Sequence, residues 1–143
     1  MTVDTKTGSV SNAGSHTGNI LLVDDDKFLL DMYSMKFVKE GFSVQTCLTV
    51  NDAVHVLQGG FSPDAIVFDL TMPERDGYAF LQSLRDEHLA EGAKKIALTN
   101  QSTDSEKAKA AELGADLFIV KATMIPSEVV TSVRGALGLS ANG

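Results

Sequence analysis

Five short apolar runs recur along the chain from residue 20 onward, and a segment with helical periodicity follows each of them. Runs that are apolar at consecutive positions suit strands that are buried on both faces, as in a parallel sheet. The second run alternates more loosely, which favours a place nearer the edge of the sheet. The sequence therefore predicts five strands, at 20–23, 42–47, 65–68, 96–98 and 117–120.

Five helices are predicted between and after these strands, at 27–40, 51–58, 77–87, 103–113 and 126–137. Gly41 suits the left-handed position that ends a helix, here the first one. Thr103 and Glu106 have the spacing of a capping box, in which each side chain accepts a hydrogen bond from an exposed backbone N–H. Pro126 suits the first turn of the fifth helix.

Apolar residues at helical spacing predict which faces of the first and fifth helices are buried. In the first helix the predicted buried residues are Phe28, Leu29, Met32, Met35 and Phe37. In the fifth helix they are Val129, Val130, Val133 and Leu137.

Alternation of strand and helix predicts a doubly wound α/β domain, with a five-stranded parallel sheet and helices on both of its faces. A strand order of 2-1-3-4-5 would place the first and third strands side by side. Ligands of such sheets bind beyond the carboxyl ends of the strands. The residues that end the strands are therefore the candidates for a functional site.

Charged or polar residues end four of the predicted strands: Asp24, Asp25 and Asp26 the first, Asp69 the third, Thr99 the fourth and Lys121 the fifth. In the order 2-1-3-4-5, Asp24 or Asp25 would lie close to Asp69, and carboxylates crowded in this way repel one another. A divalent cation relieves that repulsion. Mg²⁺ prefers such hard oxygen ligands and readily accepts phosphate oxygens, so the sequence predicts a Mg²⁺ site.

Lys121 and Thr99 suit the same chemistry, since an ammonium neutralises a phosphoryl oxygen and a hydroxyl donates to another. With an aspartate and a metal they predict a site for phosphoryl transfer onto a carboxylate. Taken singly, a strand-end Asp is a common turn residue or helix N-cap, and Asp26 is expected to cap the first helix. The combination of the strand ends carries the prediction.

Taken together, these motifs resemble the receiver domain of two-component response regulators. The resemblance rests on the acidic run at 24–26, on Asp69 with Pro73 and the pair Asp76-Gly77, and on the strand ends at 99 and 121. It covers residues 19–138 and implies a flavodoxin-like fold. Residues 1–18 are then expected to form a disordered tail, and residues 139–143 a short C-terminal tail.

By that resemblance, Asp69 accepts a phosphoryl group from a phosphohistidine of a sensor histidine kinase or a histidine phosphotransfer protein. Asp25, Asp69 and the backbone carbonyl of Thr71 would bind Mg²⁺ directly, and Asp24 would bind it through water. The domain would be a phosphoacceptor that catalyses at most its own phosphorylation and dephosphorylation, and not an enzyme acting on other substrates.

The resemblance also implies a switch. Thr99 and Lys121 would bind the transferred phosphoryl group, and Phe118 falls at the family's switch aromatic, whose rotamer is coupled to Thr99. An acyl phosphate adds about two negative charges, which would reshape the face formed by the fourth helix, the fifth strand and the fifth helix. A downstream protein target would bind that face, and a phosphorylation-dependent dimer is a further candidate assembly.

Three positions depart from the family's pattern. Ala122 follows Lys121 where the family usually has a proline after a cis bond, and a cis bond to a non-proline residue costs about 3 kcal/mol. The bond is therefore expected to be trans or strained. Asn100 stands beside Thr99 in place of a small residue and is predicted to narrow access to the phosphoryl site. Phe118 lacks a polar tip, so burial in both switch states is an open alternative.

Three alternatives to a stand-alone switched receiver stay open. The chain is a receiver excised from a larger regulator or hybrid kinase, or a degenerate receiver that binds partners without phosphorylation. A haloacid dehalogenase-type phosphatase also uses a strand-end Asp, Mg²⁺, Thr and Lys. That chemistry needs a second Asp two residues after the nucleophile as its general acid and base, and Thr71 occupies this position.

Charge and composition limit the remaining classes of function. The net charge of −7 argues against direct binding to nucleic acid or to anionic membranes. No apolar run reaches the roughly 18 residues that a membrane span requires. The single cysteine, Cys47, forms no internal disulfide, which favours a cytoplasmic location.

Overall fold

The computed structural model describes residues 16–100 and 103–139. Its strands are β1 (Gly18–Val23), β2 (Phe42–Cys47), β3 (Ala65–Asp69), β4 (Lys94–Thr99) and β5 (Leu117–Val120). Its helices are α1 (Lys27–Lys39), α2 (Val50–Gln58), α3 (Gly77–Asp86), α4 (Asp104–Glu112) and α5 (Pro126–Ala136). A 3₁₀ turn, Lys121–Thr123, follows β5 directly.

The five strands form one parallel sheet in the order β2-β1-β3-β4-β5, which confirms the predicted fold class and strand order. The second strand lies at an edge, as its looser alternation predicted. The register pairs Val23 with Phe68. Asp24 and Asp69, the next residue of each chain segment, therefore emerge side by side at the carboxyl edge of the sheet.

Two apolar layers lie on opposite faces of the sheet, and this explains why the strands are apolar at consecutive positions. Leu21 and Val23 pack into the layer that α2 and α3 cover. Ile20 and Leu22 pack into the layer that α1 and α5 cover. Successive side chains of a strand point to opposite faces, so a strand between two layers needs apolar residues at every position.

Helix ends follow the predicted capping residues. The Asp26 carboxylate accepts from the N–H of Leu29 and caps α1, and Thr103 and Glu106 form the capping box of α4. Pro126 occupies the first turn of α5. Gly41 takes the left-handed conformation after α1, with φ of 92°.

The predicted buried face of α1 is partly wrong. Phe28 and Met35 are 71% and 72% exposed, while Leu30, Tyr33 and Phe37 are buried. The true stripe includes Tyr33 and the small polar Ser34, and apolar residues also occur on the opposite face. A helix with apolar residues on both sides does not identify its buried face by hydrophobicity alone.

Smaller differences concern the ends of elements. Strand β4 begins at Lys94, two residues before the predicted start, because Lys94 and Lys95 pair with β3 while remaining exposed or half-buried. Leu137 is half-buried against the α1–α5 layer instead of fully buried. Residues 1–15 of the predicted tail and residues 140–143 lie outside the described residues. No helix in the described ranges is long and apolar enough to cross a membrane.

Helix α4 is held to the domain mainly by polar contacts. Of its nine residues, all of them described, Ala110 alone is buried. The Lys109 ammonium lies 4.3 Å from the ring centroid of Tyr78 on α3, and Arg85 donates to the Glu112 carbonyl at 3.1 Å. Because apolar burial supplies most of the stability of a short helix, α4 is expected to open locally before its neighbours do.

We expect Tyr78→Ala to increase amide hydrogen exchange in α4 about fivefold, since it removes a cation–π contact of about 1 kcal/mol. Exchange in α1 and α2 should not change. Tyr78→Phe is the matched control. It keeps the ring and loses only the 3.4 Å contact of the hydroxyl with the Glu106 carbonyl. Equal exchange in α4 of Tyr78→Ala and the wild type would contradict this role of the ring.

Candidate functional site

An open cleft of about 340 Å³ lies at the carboxyl edge of the sheet. Its lining residues are Asp24, Asp25, Asp26, Leu29, Asp69, Thr71, Asn100 and Lys121. These residues come from the end of β3, from the loops after β1, β3 and β4, from the first turn of α1 and from the turn after β5. The parallel sheet therefore gathers residues that are far apart in the sequence into one acidic site.

Three carboxylates meet in the cleft. Asp24, Asp25 and Asp69 each offer an oxygen, and the three oxygens lie within 4.8 Å of one another. Asp24 and Asp69 are buried, while Asp25 is exposed. Crowding of this kind is costly unless a cation lies close by.

Lys121 supplies a cation at this position. Its Nζ donates to Asp24 Oδ2 at 2.7 Å and to Asp69 Oδ2 at 3.2 Å, and its side chain is 8% exposed. None of the described peptide bonds is cis, so the bond between Lys121 and Ala122 is trans. The 3₁₀ turn holds this segment, and the Thr123 hydroxyl donates to the Val120 carbonyl at 3.0 Å.

The carboxylates differ in how many of their oxygens are engaged. Asp24 Oδ1 accepts from the N–H of Asp26 at 2.9 Å, so both oxygens of Asp24 have protein partners. Asp69 Oδ1 accepts from the N–H of Thr71 at 3.1 Å and its Oδ2 accepts from Lys121, so both oxygens of Asp69 are engaged as well. Asp25 makes no ion pair or hydrogen bond with any described residue. Hard oxygens with one exposed, open carboxylate fit the ligand preferences of Mg²⁺, which keeps several waters when bound.

Burial and the neighbouring charges set the protonation of the site. Burial raises the pKa of the Asp69 carboxyl and Asp24 adds to the rise, while the Thr71 N–H and the Lys121 ammonium lower it without cancelling it. Burial lowers the pKa of Lys121, but hydrogen bonds and charges of Asp24 and Asp69 outweigh burial and raise it. Lys121 therefore stays charged between the carboxylates.

Among the described residues that line the cleft, two predicted site residues are missing, Thr99 and Phe118. Thr99 is buried at the end of β4, one residue before Asn100, which is exposed and does line the cleft. Phe118 is half-buried on β5, opposite Ala97, and packs against the layer formed with α2 and α3. Thr99 and Phe118 lie on β4 and β5, the strands whose carboxyl ends lead to Asn100 and Lys121 in the cleft.

Comparison with known proteins decides the family. The family model described as the response regulator receiver domain matches residues 20–134. This chain belongs to the response regulator receiver family.

Relatives of this receiver domain include the regulatory protein VanRc of Enterococcus gallinarum. It is 32% identical over 118 residues, which make up 82% of this chain and 49% of that protein. The chain therefore spans about half the length of this relative.

Solved structures show the same fold. A CheY-like receiver domain protein from Methanospirillum hungatei is similar with a TM-score of 0.76 and 25% identity, covering 84% of this chain and 93% of that one. The BeF₃-activated receiver domain of DrrB has a TM-score of 0.72 and 28% identity, covering 85% and 97%. DrrB is a protein of Thermotoga maritima.

The loop after β3 of this receiver domain is anchored by Arg75, to which the sequence analysis gave no role. Arg75 donates to Asn51 Oδ1 at 2.7 Å on α2 and to the Ser83 hydroxyl on α3. An arginine in a polar loop carries no sequence pattern that predicts such a contact. At Gly77, a Cβ would lie 2.6 Å from the Asp69 carbonyl oxygen, so the start of α3 packs directly on the acidic loop.

We expect Gly77→Ala to destabilise the domain by about 1–3 kcal/mol, because the added Cβ overlaps the Asp69 backbone. Gly135→Ala is the matched control in α5, where an added Cβ meets nothing within 4 Å. That change should stabilise the helix by about 0.5–1 kcal/mol. Urea unfolding measures both, and a Gly77→Ala variant as stable as the wild type would show that the loop relaxes freely.

Stability should also report the raised pKa of Asp69. A carboxyl with a raised pKa in the folded state holds its proton more tightly there than in the unfolded state. The free energy of unfolding therefore falls as the pH rises from about 4, the unfolded pKa, through the folded pKa. Asp69→Asn removes the titrating carboxyl, and with it the fall in stability at higher pH. Without Mg²⁺ we expect Asp69→Asn to be more stable than the wild type at pH 7, with the difference shrinking toward pH 4 in urea unfolding.

The control for this measurement is Asp86→Asn, which replaces an exposed carboxylate on α3. It should change stability at pH 7 by less than Asp69→Asn does. An Asp69→Asn variant that is less stable than the wild type at pH 7 would mean that Lys121 compensates fully for burial.

Proposed function

We propose that this receiver domain is a phosphorylation-switched signalling module in which Asp69 accepts a phosphoryl group. The donor is a phosphohistidine of a sensor histidine kinase or a histidine phosphotransfer protein. One observation carries the proposal: Lys121 holds its ammonium 3.2 Å from an Asp69 oxygen, beside Asp24 and Asp25, in an open cleft. We also propose a cytoplasmic location, which the single cysteine supports.

In the transfer step, an oxygen of Asp69 attacks the phosphorus while the bond from phosphorus to the imidazole nitrogen breaks. The leaving nitrogen keeps the electron pair, and the product is an acyl phosphate on Asp69. Lys121 lies against the acceptor and neutralises charge on the arriving oxygens. The N–H of Thr71, bonded to Asp69 Oδ1, fixes the orientation of the carboxylate.

The carboxylates of the cleft also suit Mg²⁺. In this proposal Asp25, Asp69 and the backbone carbonyl of Thr71 would hold the ion directly, and Asp24 would hold it through water. The open carboxylate of Asp25 supports a direct role for that residue. Bound Mg²⁺ would supply charge neutralisation for the phosphoryl oxygens.

The switch in this proposal runs through Thr99, Lys121 and Phe118. Thr99 and Lys121 bind the phosphoryl group, and the rotamer of Phe118 follows the movement of Thr99. The face of α4, β5 and α5 then binds a downstream protein, or a second copy in a phosphorylation-dependent dimer. The sparse packing of α4 supports this, because a helix with one buried residue needs little energy to move.

The position of Asn100 bears on how the site is reached. Its exposed side chain lines the cleft with Asp69 and Lys121, where a smaller residue would leave more room. We propose that Asn100 narrows access to the acyl phosphate and slows both its formation and its loss. A degenerate receiver that binds partners without phosphorylation is the competing candidate. The departures at Asn100 and Ala122 keep it open, while the intact acidic cluster with Asp69, Thr99 and Lys121 argues against it.

Incubation with Mg²⁺ and acetyl phosphate tests the proposal. Intact-mass spectrometry should show the gain of one phosphoryl group in the wild type and in the control Asp86→Asn, and no gain in Asp69→Asn. Lys121→Ala should reduce the phosphorylated fraction at a fixed time by at least about tenfold, since one charged contact is lost.

Beryllofluoride with Mg²⁺ provides an independent readout, because it mimics the phosphoryl group without transfer. NMR shifts at Asp69, Thr99 and Phe118 are expected. Failure of the wild type to respond to either reagent would exclude the phosphoacceptor role and favour the degenerate receiver.

A further inference from the structure

Helix α1 carries apolar side chains on its outward face as well as on its buried face. Phe28 and Met35 are largely exposed, and Met32 between them is half-buried. Positions separated by four and then three residues lie on one side of a helix, so these side chains form a row about 10 Å long. We call Phe28, Met32 and Met35 the α1 stripe. It lies opposite the residues with which α1 packs on the sheet.

The α1 stripe differs from the other exposed apolar residues of the domain. In the described ranges four large apolar side chains are exposed, and two of them belong to the stripe. The other two, Leu48 and Ile125, lie in separate loops. Single exposed apolar residues are common on soluble proteins, whereas a contiguous apolar row indicates a contact surface.

Opposite charges stand at the two ends of the α1 stripe. Asp25 precedes the first turn of α1 and Lys39 ends its last turn, and each lies seven residues from Met32. Both side chains are exposed. Neither of them makes an ion pair or a side-chain hydrogen bond with any described residue. Each end of the stripe therefore offers a charge that a partner can neutralise.

The remaining charges near the ends of α1 have partners within the domain. Lys27 lies 3.3 Å from Asp31 on the same helix. Glu40 lies 3.9 Å from Arg134 of α5. These pairs leave Asp25 as the open charge at one end of the stripe, while Lys39 and the exposed Lys36 are the open charges at the other.

A surface with this arrangement is complementary to a second copy of itself. A two-fold axis brings the same patch of both copies together, so that residue i meets residue j of the other copy and j meets i. In an antiparallel pairing centred near Met32, Phe28 lies opposite Met35 of the second copy, and Asp25 lies opposite its Lys39. The dipoles of the two helices are then antiparallel as well, which is favourable.

We propose that α1 mediates a symmetric dimer of this domain, in which two α1 stripes pack antiparallel and Asp25 of each copy pairs with Lys39 of the other. This surface is separate from the face of α4, β5 and α5, and the dimer does not require a phosphoryl group on Asp69. Because Asp25 also lines the acidic cleft, the second copy lies at one side of that cleft. A contact along a single helix is smaller than about 1,200 Å² in total, so the dimer is weak and depends on concentration.

Self-association of the full chain tests the proposal. Sedimentation velocity without divalent cations, from about 1 µM to 1 mM protein, should show a monomer–dimer equilibrium. Phe28→Ser should weaken the dimer by at least about tenfold, because each copy loses the largest apolar side chain of its stripe. The matched control Leu48→Ser removes an exposed apolar residue outside α1 and should change the affinity by less than about twofold. A protein that stays monomeric throughout, or equal weakening by both substitutions, would overturn the proposal.

An exchange of charges tests the antiparallel pairing itself. In a dimer of Asp25→Lys, or in one of Lys39→Glu, like charges meet at both ends of the stripe, so each variant alone should dimerise at least about fivefold more weakly. An equimolar mixture should recover the dimer, because opposite charges then meet at both ends of the heterodimer. General attraction does not explain such a recovery, since both variants keep a net negative charge in a protein that carries −7. A mixture that associates no better than the separate variants would overturn the proposed pairing.

Discussion

The contact of Lys121 with two buried carboxylates is the interaction on which the site depends. Burying Asp24 and Asp69 together is strongly unfavourable without a cation at hydrogen-bonding distance. The lysine must come from the end of β5, which lies two strands from β3 and roughly 10 Å away at the usual spacing. A long, flexible side chain can cross β4 and meet both carboxylates, and a short one cannot. The strand order thus determines which residue type serves at this position.

Local hydrogen bonds then orient the acidic groups. Asp24 accepts from the N–H of Asp26, and Asp69 accepts from the N–H of Thr71, each two residues further along. Asp26 in turn caps α1. These short-range contacts fix the carboxylates relative to their own strands, while Lys121 joins the strands to one another. The site is therefore preorganised by the chain around it, which is what phosphoryl transfer by positioning and charge requires.

Much of this architecture could be predicted because its determinants are local. Continuous apolar runs indicate doubly buried strands, and strand-end residues must meet at one edge once the order is set. The exposure of Phe28 and Met35 could not be predicted, because α1 has apolar residues on both sides and Tyr33 belongs to the buried stripe. The contacts of Arg75 could not be predicted either, since a polar loop shows no periodicity that indicates the partners of its side chains.

The helices around the sheet are packed unevenly. This unevenness affects how a charge added at Asp69 could change a distant surface. Helices α1, α2, α3 and α5 each bury several residues, whereas α4 buries Ala110 and otherwise relies on a ring, an arginine and a capping box. Thr99 ends the strand that leads toward α4. In the proposed switch, two charges added at Asp69 would act on the neighbouring loops, and the response is expected to be largest where the fewest contacts oppose it. The weakly packed helix would therefore give the domain a preferred direction of change.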